Sequence, residues 1–133
     1  FPFREIAQDE PPWIMLGHVE VENLDPDRPA SASAKAIDIL RRDWSFGGPL
    51  VTDDVSMAPY ARDLRRHVVD TLKAGGDLLL VAYDTDLVFV TLDAILRARR
   101  DDRAVVSAME ASAARLARHA AEEPFCRRLA SAR

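Results

Sequence analysis

Disulfide chemistry is the first thing this sequence does without. Cys126 is its one cysteine, so no intrachain bridge is possible and the redox compartment stays open. Long apolar runs are missing too: no stretch approaches the roughly 18 residues that a membrane span needs, and the start shows no signal-peptide pattern. The three histidines, His18, His67 and His119, lie far apart and the cysteine has no companion, so no metal site is expected. A phosphate-binding glycine loop, a low-complexity tract and a solenoid repeat are also absent. Nor is there an excess of positive charge. The formal net charge of −4 gives no general pull towards nucleic acid or an anionic membrane. What is present is ordinary for a soluble globular protein, with 48% hydrophobic and 30% charged residues in 133, the length of one small domain or a piece of a larger one. The chain opens on Phe1-Pro2-Phe3 without a methionine, which reads as an excerpt or a processed product.

The stretch around which the rest is organised is Pro49-Leu50-Val51-Thr52-Asp53-Asp54-Val55-Ser56-Met57. Gly47-Gly48 before it is a turn signal, Leu50 and Val51 are apolar, and two adjacent carboxylates follow. That order predicts a buried strand over 49–52 whose C-terminal end delivers acidic side chains to a loop. In parallel α/β architectures ligands bind at this end. Upstream, residues 1–12 read as the tail of a helix stopped by Pro11-Pro12, and the apolar run 13–16 as a strand covered on both faces. Residues 20–32, acidic and broken by Pro26 and Pro29, read as a long loop ending in possible helix caps at Ser31 and Ser33. Ile37, Leu40 and Trp44 predict a helix over 34–44.

Downstream, Ser56 could cap a helix carrying Leu64, Val68 and Leu72 that stops at Gly75-Gly76. A third apolar run covers 78–83, a helix follows Asp84 to Asp86, and a last helix spans about 102–121. Strand–helix alternation of this kind predicts an α/β fold with a parallel sheet and right-handed crossovers. Three strands cannot close a barrel, which needs about eight. The remaining strands are therefore expected from a missing segment or from another chain.

With these residues laid out, the chain resembles family 3 glycoside hydrolases, specifically the β-N-acetylhexosaminidase branch. The resemblance runs from about Phe1 to Ala98. It rests on an ordered set: Pro2-Phe3, Ile14-Met15 to His18-Val19, Leu24-Asp25, Pro29 to Ser33, Leu40-Arg41, Phe46-Gly47-Gly48, Val51 to Met57, and Ala74 to Leu80. It implies that residues 1–98 are the C-terminal part, about three βα units, of a (β/α)8 barrel, with 99–133 a helical extension. It also implies an exo-acting, retaining hydrolase of terminal β-linked N-acetylglucosamine in chitin- or peptidoglycan-derived saccharides, needing no cofactor. The implied partner is a carbohydrate, not nucleic acid or membrane, and a role in peptidoglycan recycling would place the protein in the cytoplasm. The branch's acid/base sits on a loop reading Lys-His-Phe-Pro-Gly-His-Gly-Asp-Thr, which these residues lack. The β-glucosidase branch usually has Trp where this chain has Asp54, hence the preference for hexosaminidases.

Each site residue also has an ordinary reading. Asp53 after a strand is equally an N-cap or turn residue from spacing alone; the resemblance implies that it is the nucleophile. Retaining hydrolysis needs such a carboxylate together with a second group, usually about 5 Å away, to protonate the leaving oxygen. Asp53 and Asp54 are neighbours on an extended chain and point to opposite sides, so one is expected to face the cavity and the other to brace the loop. His18, at the same mouth, is either a sugar contact or a satisfied core histidine. Met57 is expected near the sugar site, as packing rather than a direct contact. His67 and His119 read as surface residues, and Asp84 and Asp86 as a helix start. The non-enzymatic alternative is a catalytically incomplete half-barrel that binds a partner or assembles with itself.

Overall fold

The computed structural model describes residues 2–9 and 13–122. Its regular elements run in order: helix α1 (Pro2–Asp9), strand β1 (Ile14–Leu16), a short antiparallel pair β2 (Glu20–Val21) and β3 (Asp25–Pro29), helix α2 (Ala34–Asp38), strand β4 (Leu50–Asp54), helix α3 (Leu64–Ala74), strand β5 (Leu78–Leu80), and helices α4 (Leu87–Asp101) and α5 (Arg103–Glu122). Pro11-Pro12 and Cys126 lie outside the described residues.

Strands β1, β4 and β5 form one parallel sheet with β4 in the middle. Sheet order follows chain order, and α3 packs against both α2 and α4. The helices therefore lie side by side on one face, in the order of the strands that precede them. A doubly wound sheet reverses its strand order part-way; this one does not, and the layout fits part of a βα-barrel wall.

The two faces of the sheet differ sharply. Along β4 the side chains alternate, with Leu50, Thr52 and Asp54 buried and Val51 and Asp53 half-buried. The buried set faces the helices. There Leu16, Ile37, Phe46 and Leu50 pack as one cluster, and Val55, Tyr60, Val68 and Ala94 as a second. Ile37, Leu50 and Val68 are fully buried, each such side chain contributing about 1.5–3 kcal/mol. On the other face Val51 lies in register between Met15 and Leu78, and Met15 is 57% exposed. Val51 and Leu78 in the same row are half-buried.

Helix α3 stops where glycines permit it. Gly75 adopts a left-handed φ of 103° and its N–H donates to Leu72 O at 3.1 Å, while Gly76 N–H donates to Thr71 O at 2.9 Å. A Cβ on Gly76 would sit 2.6 Å from Thr71 Cγ2, so the second glycine is required by close approach. Ser33 caps α2, its Oγ accepting from Ala36 N at 3.3 Å.

The segment 20–32, expected to be a loop, contains the β2–β3 pair and a 3-10 turn at Ala30–Ala32. The helix expected over 34–44 is regular only to Asp38; Ile39–Asp43 is a π turn closed by Trp44 N–H donating to Ile39 O at 3.0 Å. Strand β4 runs on through both aspartates, beyond the predicted end at 52, and β5 is shorter than the predicted 78–83. Ser56 caps no helix: a 3-10 turn at Tyr60–Asp63 leads into α3 instead. The final helix, expected over about 102–121, is α5.

Candidate active site at the C-terminal end of the sheet

Because β4 is the central strand, its C-terminal end projects Asp53 and Asp54 at the end of the sheet where parallel α/β proteins hold ligands. Local irregularity shapes that end. The β4–β5 register shifts between Val51 and Asp54, and Leu80 N–H donates to the Thr52 hydroxyl at 3.1 Å. Regular pairing gives way here in the manner of a bulge, a device that re-aims side chains beside sites.

Asp54 is the braced member of the pair. Its Oδ1 accepts from Ser56 N at 3.0 Å and its Oδ2 from Tyr83 N at 2.7 Å, tying the end of β4 to the segment after β5. These N–H donors, Ser56 first and then Tyr83, hold the Asp54 carboxyl below the usual carboxylate range. Asp53 is half-buried on the opposite face. Its Oδ1 accepts from Asp54 N at 2.8 Å, and among the described residues no cation lies within ion-pair distance of it. One carboxylate oxygen is thus held by an amide, and the other has no hydrogen-bond partner among the described residues. Such an aspartate can act as a base or as a nucleophile.

His18 sits behind this pair, 6% exposed. Its Nδ1 lies 2.6 Å from Ser31 Oγ and its Nε2 3.0 Å from the Asp54 carbonyl, so neither ring nitrogen is left for a sugar. Burial pushes the imidazole pKa down, against the upward pull of the Asp54 carbonyl and the Asp53 charge. Met57, 48% exposed, follows in the turn after β4, with its N–H donating to Asp54 O at 2.9 Å. His67 is buried, not on the surface as its helical setting suggested. Its Nδ1 donates to Tyr60 O at 2.8 Å, and its ring packs against that tyrosine. His119 accepts from Trp13 Nε1 at 2.7 Å. Asp84 begins the approach to α4, its Oδ1 accepting from Asp86 N at 3.2 Å.

Sequence reasoning missed a cluster at the other end of the sheet. The Asp77 carboxylate, immediately before β5, is fully buried between two arginines. Oδ2 accepts from Arg41 Nη2 at 2.6 Å and Leu50 N at 2.8 Å, and Oδ1 from Arg115 Nη2 at 2.8 Å. Arg41 further donates to the carbonyls of Phe46, Gly48 and Gly75. The available signal was an aspartate set directly against an apolar strand, which is costly unless it is paired.

A groove of about 660 Å³ opens along β5 between α4 and α5, walled by Leu78, Leu80, Ile95, Met109 and Leu116. Asp53 does not line it, and its apolar wall suits packing against more polypeptide rather than a polar sugar. Among the described residues no group of His, Cys, Asp or Glu is arranged to hold a metal ion, and no helix is long and apolar enough to cross a membrane.

Comparison with known proteins agrees with this geometry. The model of the glycosyl hydrolase family 3 N terminal domain matches residues 1–119. Beta-hexosaminidase LpqI of Mycobacterium tuberculosis is 32% identical over 135 residues, covering 96% of this chain and 34% of the relative. The beta-hexosaminidase of Actinobacillus succinogenes is 40% identical over 96 residues, covering 69% of this chain and 28% of the relative. The crystal structure of beta-N-acetylhexosaminidase from Beutenbergia cavernae superimposes with a TM-score of 0.79 at 26% identity, over 88% of this chain and 36% of that one. The chain spans about a third of the length of the curated relatives it matches.

Proposed function

Because this chain belongs to glycosyl hydrolase family 3, we propose that it forms the nucleophile-bearing part of a retaining exo-β-N-acetylglucosaminidase. Residues 1–98 contribute the last three βα units of a (β/α)8 barrel and 99–133 a helical extension. The rest of the barrel comes from a preceding segment or another chain and pairs with the free edges of β1 and β5. The sheet face bearing Asp53 then becomes part of the barrel interior, with that residue at its mouth.

In this reading the free Asp53 carboxylate oxygen attacks the anomeric carbon of a terminal β-linked N-acetylglucosamine. The bond to the aglycone oxygen breaks as an acid/base outside this chain protonates that oxygen. Water, deprotonated by the same group, then attacks the anomeric carbon and releases Asp53, giving two displacements and net retention. The supporting observation is the asymmetry of the aspartate pair. Asp54 is bound at both carboxylate oxygens by backbone N–H groups, whereas Asp53 keeps one oxygen free of any partner among the described residues. Nothing in the folding of a strand end requires that arrangement.

The test uses the complete catalytic unit, meaning this chain together with the rest of the barrel. Hydrolysis of a chromogenic N-acetyl-β-glucosaminide, followed by NMR, is expected to release the β-anomer first. No hydrolysis, or first release of the α-anomer, overturns the proposal. A second reading, a half-barrel that binds or assembles without turnover, is favoured by the edges of β1 and β5, which no strand among the described residues pairs. It predicts no hydrolysis in any assembly.

A further inference from the structure

We propose that His18 is a positioning residue for Asp53, acting through the backbone of Asp54. The inference rests on the reading of Asp53 as nucleophile and explains how that carboxylate is kept in place. Hydrogen-bond chemistry fixes the direction of the network. A carbonyl oxygen only accepts, so His18 Nε2 carries the proton and donates to Asp54 O at 3.0 Å. The neutral ring then has Nδ1 as an acceptor, and it is the Ser31 hydroxyl, 2.6 Å away, that donates to it. Behind this pair, Tyr60 OH lies 2.8 Å from Thr71 Oγ1, and Thr71 donates to Ser31 O at 2.9 Å. Because the Thr71 proton is committed to Ser31 O, Tyr60 supplies the proton between the two hydroxyls. The imidazole also packs on the Tyr60 ring, with centroids 4.4 Å apart. Ser31, Tyr60 and Thr71 are all fully buried, so the ring has no freedom to turn.

This donor network ends on the one residue whose N–H holds Asp53. Asp54 is gripped at its carbonyl by His18 and at its carboxylate by Ser56 N and Tyr83 N, and its own N–H donates to Asp53 Oδ1 at 2.8 Å. His18 thus holds the peptide group that follows Asp54, while the donor to Asp53 belongs to the peptide group before it. The two meet at the Asp54 Cα, whose side chain is held as well, so the backbone clamp restricts the donor and with it the direction of the other Asp53 oxygen. His18 needs no contact with sugar to matter. Misplacing a reacting group by about 1 Å can cost about 100-fold in rate.

Two near-isosteres separate positioning from mere filling of space. Glutamine carries its amide nitrogen as many bonds from Cβ as His Nε2, so His18→Gln can keep the donor to Asp54 O. Asparagine reaches only the Nδ1 position, so His18→Asn keeps a polar atom near Ser31 and loses the bond to Asp54. In the complete catalytic unit, His18→Asn is expected to lower kcat by about 10- to 100-fold with KM within about 2-fold. His18→Gln should remain within about 3-fold of wild type, at a similar melting temperature. Equal losses in the two variants, an unchanged kcat in His18→Asn, or a raised KM with kcat unchanged would overturn the proposal. If either variant fails to fold, Ser31→Ala decides: a fall in kcat without a change in KM supports positioning, and an unchanged kcat refutes it. Asp53→Asn run alongside separates the two levels. Wild-type turnover in Asp53→Asn removes the nucleophile and this proposal together, whereas its loss beside a fully active His18→Asn sinks the His18 role alone.

Discussion

Asp77 and Asp54 occupy opposite ends of the same parallel sheet and are held by different partners. Asp77, before β5, lies between Arg41 and Arg115 and also accepts from Leu50 N. Asp54, at the end of β4, is held by the backbone N–H groups of Ser56 and Tyr83, and among the described residues no cation pairs with it. Guanidinium groups tie distant elements together. Arg41 lies in the turn after α2 and Arg115 on α5, so a single buried carboxylate draws both to the start of β5. Backbone donors fix direction without adding positive charge next to Asp53. One end of the sheet is cross-braced by ion pairs; at the other, Asp53 is held by the Asp54 amide and pairs with no cation among the described residues.

The comparison breaks most visibly at Asp53. On the proposed reaction, Asp53→Asn should lower kcat by about 10⁴-fold in the complete unit while the melting temperature stays near wild type. Steady-state kinetics beside a thermal melt checks both halves.

At the other end the pattern should invert. Asp77→Ala leaves two largely buried arginines without their counter-charge, and breaking a buried pair of this kind costs about 3–5 kcal/mol. Urea unfolding measures that loss, and a cost below about 1 kcal/mol would show that water replaces the carboxylate.

Asp54 contributes through pH. Its folded pKa is depressed below the usual value of 3.8, so its stabilisation is complete above that value and lost as pH falls through the lower folded one. The advantage of wild type over Asp54→Asn in melting temperature should therefore hold from neutral pH and shrink below pH 3.8. An advantage that persists into stronger acid contradicts the assignment.

The smallest effect belongs to Ser112. Its hydroxyl reaches Asp77 O at a long 3.4 Å, and Ser112→Ala should cost about 0.5 kcal/mol by the same unfolding measurement. A larger loss would mean that the serine, and not only the arginines, anchors α5.

How much of this was legible in the sequence depends on the range of the interaction. The alternation of apolar runs and helices needs only neighbouring residues, and it gave the three parallel strands and the glycine stop at Gly75-Gly76. That Asp53 and Asp54 point to opposite sides followed from side-chain alternation along a strand, which the burial pattern of β4 reproduces. The β2–β3 pair was hidden because Pro26, Pro29 and a run of charges erase the alternation that marks a strand. His67 was misread because a polar residue on a helix looks exposed until its acceptor, Tyr60 O, is known. The Arg41–Asp77–Arg115 cluster joins residues 36 and 38 positions apart, and no local pattern announces such a pairing. The hydrogen bond from His18 to Asp54 spans the same 36 positions and was invisible for the same reason.

On the proposed reaction, Asp53, held by the Asp54 amide, is the group that bonds to the sugar. The most direct measurement uses a slow fluorinated N-acetylglucosaminide that accumulates the glycosyl-enzyme in the complete catalytic unit, with the modified peptide then identified by mass spectrometry. One sugar is expected on the peptide carrying Asp53, absent in Asp53→Asn. A sugar attached to another residue, or turnover with no covalent adduct and an inverted product, would contradict it.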